Sequence, residues 1–146
     1  MIEYIDASVV VKWFKEDEPG KDKARKLYER IVDMDACFIT SEWSLLEVTR
    51  ALCKSGYKMD EIKEANEVLR GFMSSGALKM PPVSPSIGLA QKLEMELGLY
   101  ASDAVHLATS INTSSSILWS EDQHHHKDKV KKYLKRHQLT VKRLDN

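Results

Sequence analysis

Short apolar runs separated by stretches of helical spacing constrain this chain more than any other feature of its sequence. Ile2 to Ile5, Cys37 to Thr40, Leu78 to Met80, Ser116 to Trp119 and Leu139 to Leu144 read as strands. Between them the apolar residues recur at helical intervals. Ala7 to Phe14 reads as a helix capped by Asp6 or Ser8. Pro19 is placed to open the next helix, with Ala24, Leu27, Tyr28, Ile31 and Val32 on its buried face. Ser41 can cap a helix carrying Leu45, Val48 and Leu52, which stops at Ser55-Gly56. Asp60 opens another, carrying Ile62, Ala65, Val68, Leu69 and Phe72 as far as Gly76. Further helices are predicted from Ser84-Pro85 to Leu97-Gly98, from Ser102 to Ile111 and from Lys127 to His137. Strands alternating with helices predict an α/β sandwich around a parallel sheet with right-handed crossovers. The two helices between the second and third strands exceed one simple crossover. No repeat or linker divides the chain, so residues 1–146 read as one domain.

Composition agrees with a self-sufficient folded domain. Of 146 residues 42% are hydrophobic and 30% charged, enough to build a core without staples. No apolar stretch approaches the roughly 20 residues that span a bilayer, and the first residues have no basic segment leading into a hydrophobic one. The expectation is therefore a cytoplasmic protein with no membrane association. Cys37 and Cys53 have no metal-like spacing and are expected as reduced core residues. The 22 acidic and 22 basic residues cancel, so net charge gives no argument for a nucleic-acid partner. Their distribution is uneven. Lys127, Lys129, Lys131, Lys132, Lys135, Arg136, Lys142 and Arg143 face only Asp128 within the C-terminal segment, which could meet phosphates or form a solvated helix face.

Four acids fall at predicted strand ends or in adjacent helices. Asp6 follows the first strand and Asp122 the strand ending at Trp119; parallel strands share a C-terminal edge, so the two can meet. Glu47 lies in a helix that is apolar around much of its circumference, where a carboxylate is costly unless it is paired, binds a cation or stays wet. Asp103 stands in the first turn of the late helix, where the helix dipole alone favours it by about 0.3 to 1 kcal/mol. Singly, each acid fits a cap, a surface position or a salt bridge. As a group they would repel unless a cation neutralised them, and oxygen ligands suit Mg²⁺ or Mn²⁺ better than Zn²⁺.

Four blocks carry a family resemblance. YIDASVVVKWF (Tyr4 to Phe14) resembles the opening of a PIN domain. SEWSLLEVTRAL (Ser41 to Leu52) is similar to that family's second block, LYASDAVHLATS (Leu99 to Ser110) to its third, and LWSEDQ (Leu118 to Gln123) to its fourth. The resemblance covers nearly the whole chain, and its blocks occur in the family's order. It implies a three-layer α/β sandwich with a central, mainly parallel sheet of four to five strands. It also implies a metal-dependent endoribonuclease similar to the VapC toxins of toxin–antitoxin pairs. Asp6, Glu47, Asp103 and Asp122 would be the catalytic and metal-binding acids for Mg²⁺ or Mn²⁺, with Asp122 completing the site or helping to hold a second ion. Ser8 and Ser120 would orient a carboxylate or a bound water. Water activated at the metal would attack the phosphodiester, leaving 5′-phosphate and 3′-hydroxyl ends. RNA, an antitoxin protein and a second copy in a homodimer are the implied partners. Two positions depart from the family pattern: Ser120 stands where Thr is commoner, and Gln123 with three histidines follows Asp122.

Other polar and aromatic residues are assigned structural roles. His124, His125 and His126 point in different directions, which suits a solvated turn or helix start, or a contact with RNA or phosphate, better than a zinc site. His106, one turn beyond Asp103 on a similar face, is expected to be partly buried in a packing or hydrogen-bonding role, with support of a metal-binding acid from behind as the alternative. Lys12 and Lys15 could contact RNA, neutralise the acids or lie on the surface. Arg50, three positions after Glu47, could pair with it or clamp a substrate phosphate or the tail of the implied antitoxin. Trp13, Phe14 and Trp43 are expected in the core or a partner interface. The same carboxylates would also serve a DNA nuclease or another metal-dependent phosphoesterase, and a non-enzymatic nucleic-acid-binding module is the other class.

Overall fold

A computed structural model describes residues 1–145. The strands are β1 (Ile2–Ile5), β2 (Cys37–Ile39), β3 (Leu78–Lys79), β4 (Ile117–Trp119) and β5 (Thr140–Lys142). The helices are α1 (Ala7–Val10), α2 (Lys21–Val32), α3 (Trp43–Lys54), α4 (Met59–Ser75), α5 (Ile87–Leu97), α6 (Ala101–Asn112) and α7 (Asp128–Lys135). Short 3₁₀ turns cover Val11–Trp13, Ser84–Ser86 and Gln123–His126.

The strands form one sheet in the order β3-β2-β1-β4-β5, and all four pairings are parallel. Alternation along the strands supplies both faces. Tyr4, Ile39 and Leu118 pack with α5, α6 and α7 through Leu93, Leu107 and Leu134. Ile5, Phe38 and Leu78 pack with α1 to α4 through Val9, Leu27, Leu52 and Leu69. The layers are therefore helix, sheet, helix, with the core split between the two faces. Among the described residues no helix is long and apolar enough to cross a membrane.

The strand order reverses at β1, since β2 and β3 lie on one side of it and β4 and β5 on the other. Such a reversal opens a crevice at the C-terminal strand ends. Thr40 closes part of that edge: its hydroxyl donates to the Ile5 carbonyl at 2.6 Å and pairs with Ser44 Oγ at 2.7 Å.

Several local expectations are corrected. Pro19 does not open α2, which begins at Lys21 after Gly20 in the left-handed region at φ 77°. Asp17 is also left-handed at φ 53°, so residues 17 to 20 form a turn before the helix starts. Cys37 is half-buried and packs against the core, whereas Cys53 is exposed on α3 and is not a core residue; both thiols are free. Trp13 does join an aromatic cluster, meeting Phe14, Tyr28 and Phe72 edge-on.

Candidate metal centre

β1 delivers Asp6 directly to the crevice. The residue is 4% exposed and caps α1, its carboxylate accepting the Ser8 amide at 3.0 Å. Ser8 then accepts the Glu121 amide at its Oγ, also at 3.0 Å, and so joins the ends of β1 and β4. Beyond β4 the backbone turns at Ser120. Its hydroxyl accepts the Asp122 amide at 3.1 Å, and Asp122 accepts the His124 amide at 2.8 Å. Ser120 therefore sets the backbone of Asp122 rather than its carboxylate.

Asp103 reaches the same edge from the first turn of α6. One ligand atom from each of Asp103, Asp122 and His124 lies within 4.8 Å of the others. Asp6 and Glu47 are not part of that tight group and are linked to each other through His106. His106 Nε2 is hydrogen-bonded to Glu47 Oε1 and lies 3.6 Å from Asp6 Oδ1. Glu47, on the inward edge of α3, remains half-buried.

The charges respond unequally to this crowding. Burial would raise the Asp6 carboxyl, but His106, His125 and the hydrogen bonds from Ser8 outweigh it and hold the group below its ordinary value. Burial is also the largest influence on Asp103; His125 opposes it, but the Asp122 carboxyl adds to it and the group is pushed up to about 6. Burial works against the charged form of His106, yet Asp6 and Glu47 together raise its affinity for a proton. The site thus holds like charges that a cation would reconcile. The close donors are two carboxylates and the His124 imidazole, with the Asp6 and Glu47 carboxylates beyond them, an oxygen-rich set that fits a divalent ion.

Two buried histidines correct the sequence reading. His106 is wholly buried, not partly. His125 is also sealed from solvent, with Nδ1 2.7 Å from Ser120 Oγ and Nε2 3.2 Å from the Asp103 carbonyl. His126 Nε2 meets the Ser120 carbonyl at 2.8 Å, and the His124 ring packs edge-on against Tyr100. The run is a 3₁₀ turn that leads toward α7, as a helix start would, with its middle histidine buried and the two beside it half-buried. Their divergent directions were legible in the sequence; the burial of the middle one was not.

The lysines that follow Asp6 in sequence are engaged elsewhere. Lys12 donates to the Pro19 carbonyl at 2.7 Å, and Lys15 pairs with Glu18 at 3.5 Å. Among the described residues Arg50 makes no ion pair, since Glu47 turns inward to His106. Trp43 is 37% exposed and donates to Ser102 Oγ at 3.2 Å. An open groove beside Glu47 is lined by Trp43, Leu46, Ala51 and Ser102, with Arg50 and Lys54 beside them.

Comparison with known proteins follows the same outline. The PIN domain family model matches residues 4–131. No curated protein sequence matches the chain. Among solved structures, VapC20 of Mycobacterium tuberculosis, described as a Sarcin-Ricin loop cleaving toxin, is 13% identical; the match covers 82% of this chain and 89% of that one, with a TM-score of 0.62. VapBC2 from Rickettsia felis, solved bound to a DNA fragment from its promoter, is 17% identical over 98% of each chain, with a TM-score of 0.60. PAE2754 from Pyrobaculum aerophilum is 16% identical over 99% of this chain and 90% of that one, with a TM-score of 0.61. At these identities the likeness is one of fold.

Proposed function

The chain belongs to the PIN domain family, and from that premise we propose that it is a metal-dependent endoribonuclease hydrolysing RNA phosphodiester bonds, the toxin of a toxin–antitoxin pair. The observation that supports this reading best is the approach of Asp103, Asp122 and His124 to within 4.8 Å beside the Asp6–His106–Glu47 link, all at one edge of a parallel sheet.

In this reading Asp6, Glu47 and Asp103 hold Mg²⁺ or Mn²⁺ and Asp122 completes the site. When bound, the ion supplies Lewis acidity toward a phosphate oxygen and lowers the pKa of a water. Asp6, kept ionised by its surroundings, offers a permanent negative ligand. Asp103, whose charged form is disfavoured by burial and by the Asp122 carboxyl beside it, would be stabilised by a cation at this position. Hydrolysis forms one bond from water oxygen to phosphorus and breaks the bond to the 3′ oxygen, which leaves as a hydroxyl. The phosphate stays on the 5′ oxygen of the downstream fragment.

The apolar groove beside Glu47, with Arg50 and Lys54 at its edge, supports a peptide partner such as the tail of an antitoxin. A second copy of the chain is a further partner in this reading. The protein acts in the cytoplasm in this reading.

A DNA nuclease would use the same acids. Matched cleavage assays on single-stranded and looped RNA and on DNA, with Mg²⁺, Mn²⁺ or EDTA, separate the alternatives. The proposal expects RNA to be cut, DNA to be spared and EDTA to stop the reaction. Cleavage undiminished by EDTA sinks the metal mechanism, and equal cutting of DNA sinks the substrate assignment.

A further inference from the structure

Behind the acids runs a buried polar chain that the reaction above does not use. Tyr4 and His106 are 0% and 1% exposed, and Tyr4 Oη lies 2.7 Å from His106 Nδ1. The other ring nitrogen faces Glu47 and, at 3.6 Å, Asp6. An ionised carboxylate can only accept, so Nε2 carries a proton and donates. The Tyr4 hydroxyl can donate to a bare Nδ1 or accept from a protonated one, so it satisfies the ring in either state.

The two carboxylates at Nε2 arrive from different layers. Asp6 is fixed by the end of β1 and by the Ser8 amide. Glu47 sits midway along α3, and His106 is its one hydrogen-bond partner among the described residues. Without that bond its flexible side chain is free to choose another rotamer toward solvent. Tyr4 has the same effect one step back, because its hydroxyl holds the ring that holds Glu47.

We propose that Tyr4 and His106 form a positioning pair that fixes the Glu47 carboxylate, through the His106 Nε2–H, in the orientation in which it shares a divalent ion with Asp6. The inference rests on the metal-dependent reading. Partners of this kind outside the ligand set set the direction of metal ligands, and losing one weakens metal affinity about 10- to 100-fold.

The test is Mn²⁺ binding to the full chain by titration calorimetry, with folding checked by circular dichroism. The variants are Tyr4→Phe, His106→Leu, His106→Gln and, as a control for general destabilisation, Leu69→Ala in the opposite layer. Tyr4→Phe and His106→Leu are expected to weaken Mn²⁺ binding about 10- to 100-fold. His106→Gln, which keeps an N–H for Glu47, should recover part of the loss, and Leu69→Ala should bind as the wild type does. If His106→Leu does not fold, Tyr4→Phe, which removes a single oxygen, decides. Wild-type affinity in folded Tyr4→Phe overturns the pair, as does an equal loss in Leu69→Ala. A folded wild-type protein that binds no Mn²⁺ overturns the metal reading and this inference with it, whereas binding that all variants retain overturns the pair alone.

Discussion

His125 Nδ1 lies 2.7 Å from Ser120 Oγ, and both side chains are sealed from solvent. The same hydroxyl accepts the Asp122 amide, and the same ring reaches the Asp103 carbonyl. One buried contact therefore spans the backbone of two acids. Ser120→Ala leaves a ring nitrogen and an amide without their partner, which costs about 1–3 kcal/mol. Urea unfolding should show this as a lower midpoint with an unchanged slope. A midpoint equal to that of the wild type would show that water replaces the hydroxyl.

Asp6→Asn and Asp103→Asn should each abolish cutting while the fold survives. Partners that only orient metal ligands cost up to about 100-fold when lost, so losing a ligand should cost at least about that. Initial rates at saturating Mn²⁺, beside circular dichroism, check both parts. Full activity in both variants would remove these acids from the mechanism.

The metal-free Asp103→Asn protein should be more stable than the wild type at neutral pH. In the folded chain Asp103 titrates near 6, against 3.8 for the ordinary carboxyl, so between those values the native state binds more protons than the unfolded one. Stability then falls as pH rises through that window and stays lower above it. Allowing for solvent screening, the gain in the variant is about 1 kcal/mol at pH 7 and vanishes below the ordinary carboxyl range. Thermal melts in EDTA across pH give the comparison; a variant that melts below the wild type at pH 7 contradicts the assigned repulsion.

Glu3 should show the opposite dependence. Burial raises its proton affinity, but bonds from Arg30 at 3.0 and 2.5 Å and from Trp119 at 2.7 Å outweigh that and lower its pKa below 4.5. The unfolded state therefore binds the extra proton. The stabilisation is present above the ordinary carboxyl value and is lost as pH falls through the lowered one. Glu3→Gln should lose about 1–3 kcal/mol at pH 7 and much less near pH 2. A loss independent of pH would assign the effect to packing.

Lys131, Lys132 and Lys135 stand exposed on or at the end of α7. If all three meet phosphates of a single strand, replacing them with Gln lowers the slope of log affinity against log salt by about 2. Fluorescence anisotropy with labelled RNA across a salt series measures it, and an unchanged slope leaves them as surface charge.

The fold was largely readable because apolar periodicity reports burial directly. Tyr4 and Ile5 point to opposite faces, as alternation along a strand requires. Gly76 and Gly98 stop α4 and α5 in left-handed conformations. The carboxylates could be anticipated from their positions at strand ends and inside apolar helices. What lay behind them could not. The burial of His125 depends on Ser120 and Asp103, which are brought to it by tertiary packing, and a run of identical residues carries no periodicity to single out the middle one. Cys53 misled for a related reason: apolar neighbours in sequence lie on other faces of a helix. The start of α2 was set by a turn whose left-handed Asp17 is not a residue that announces that conformation as glycine does.

The reversal of strand order at β1 also has a consequence for synthesis on the ribosome. Asp6 and Glu47 emerge early, but the crevice needs α6 and β4, which are made last but for α7 and β5. Until then a growing chain carries two of its four acids and lacks the wall on which the others stand. In the proposed reading the nascent toxin is inert beside the RNA of the machine that makes it, and competence arrives only after most of the polypeptide has been released from the exit tunnel.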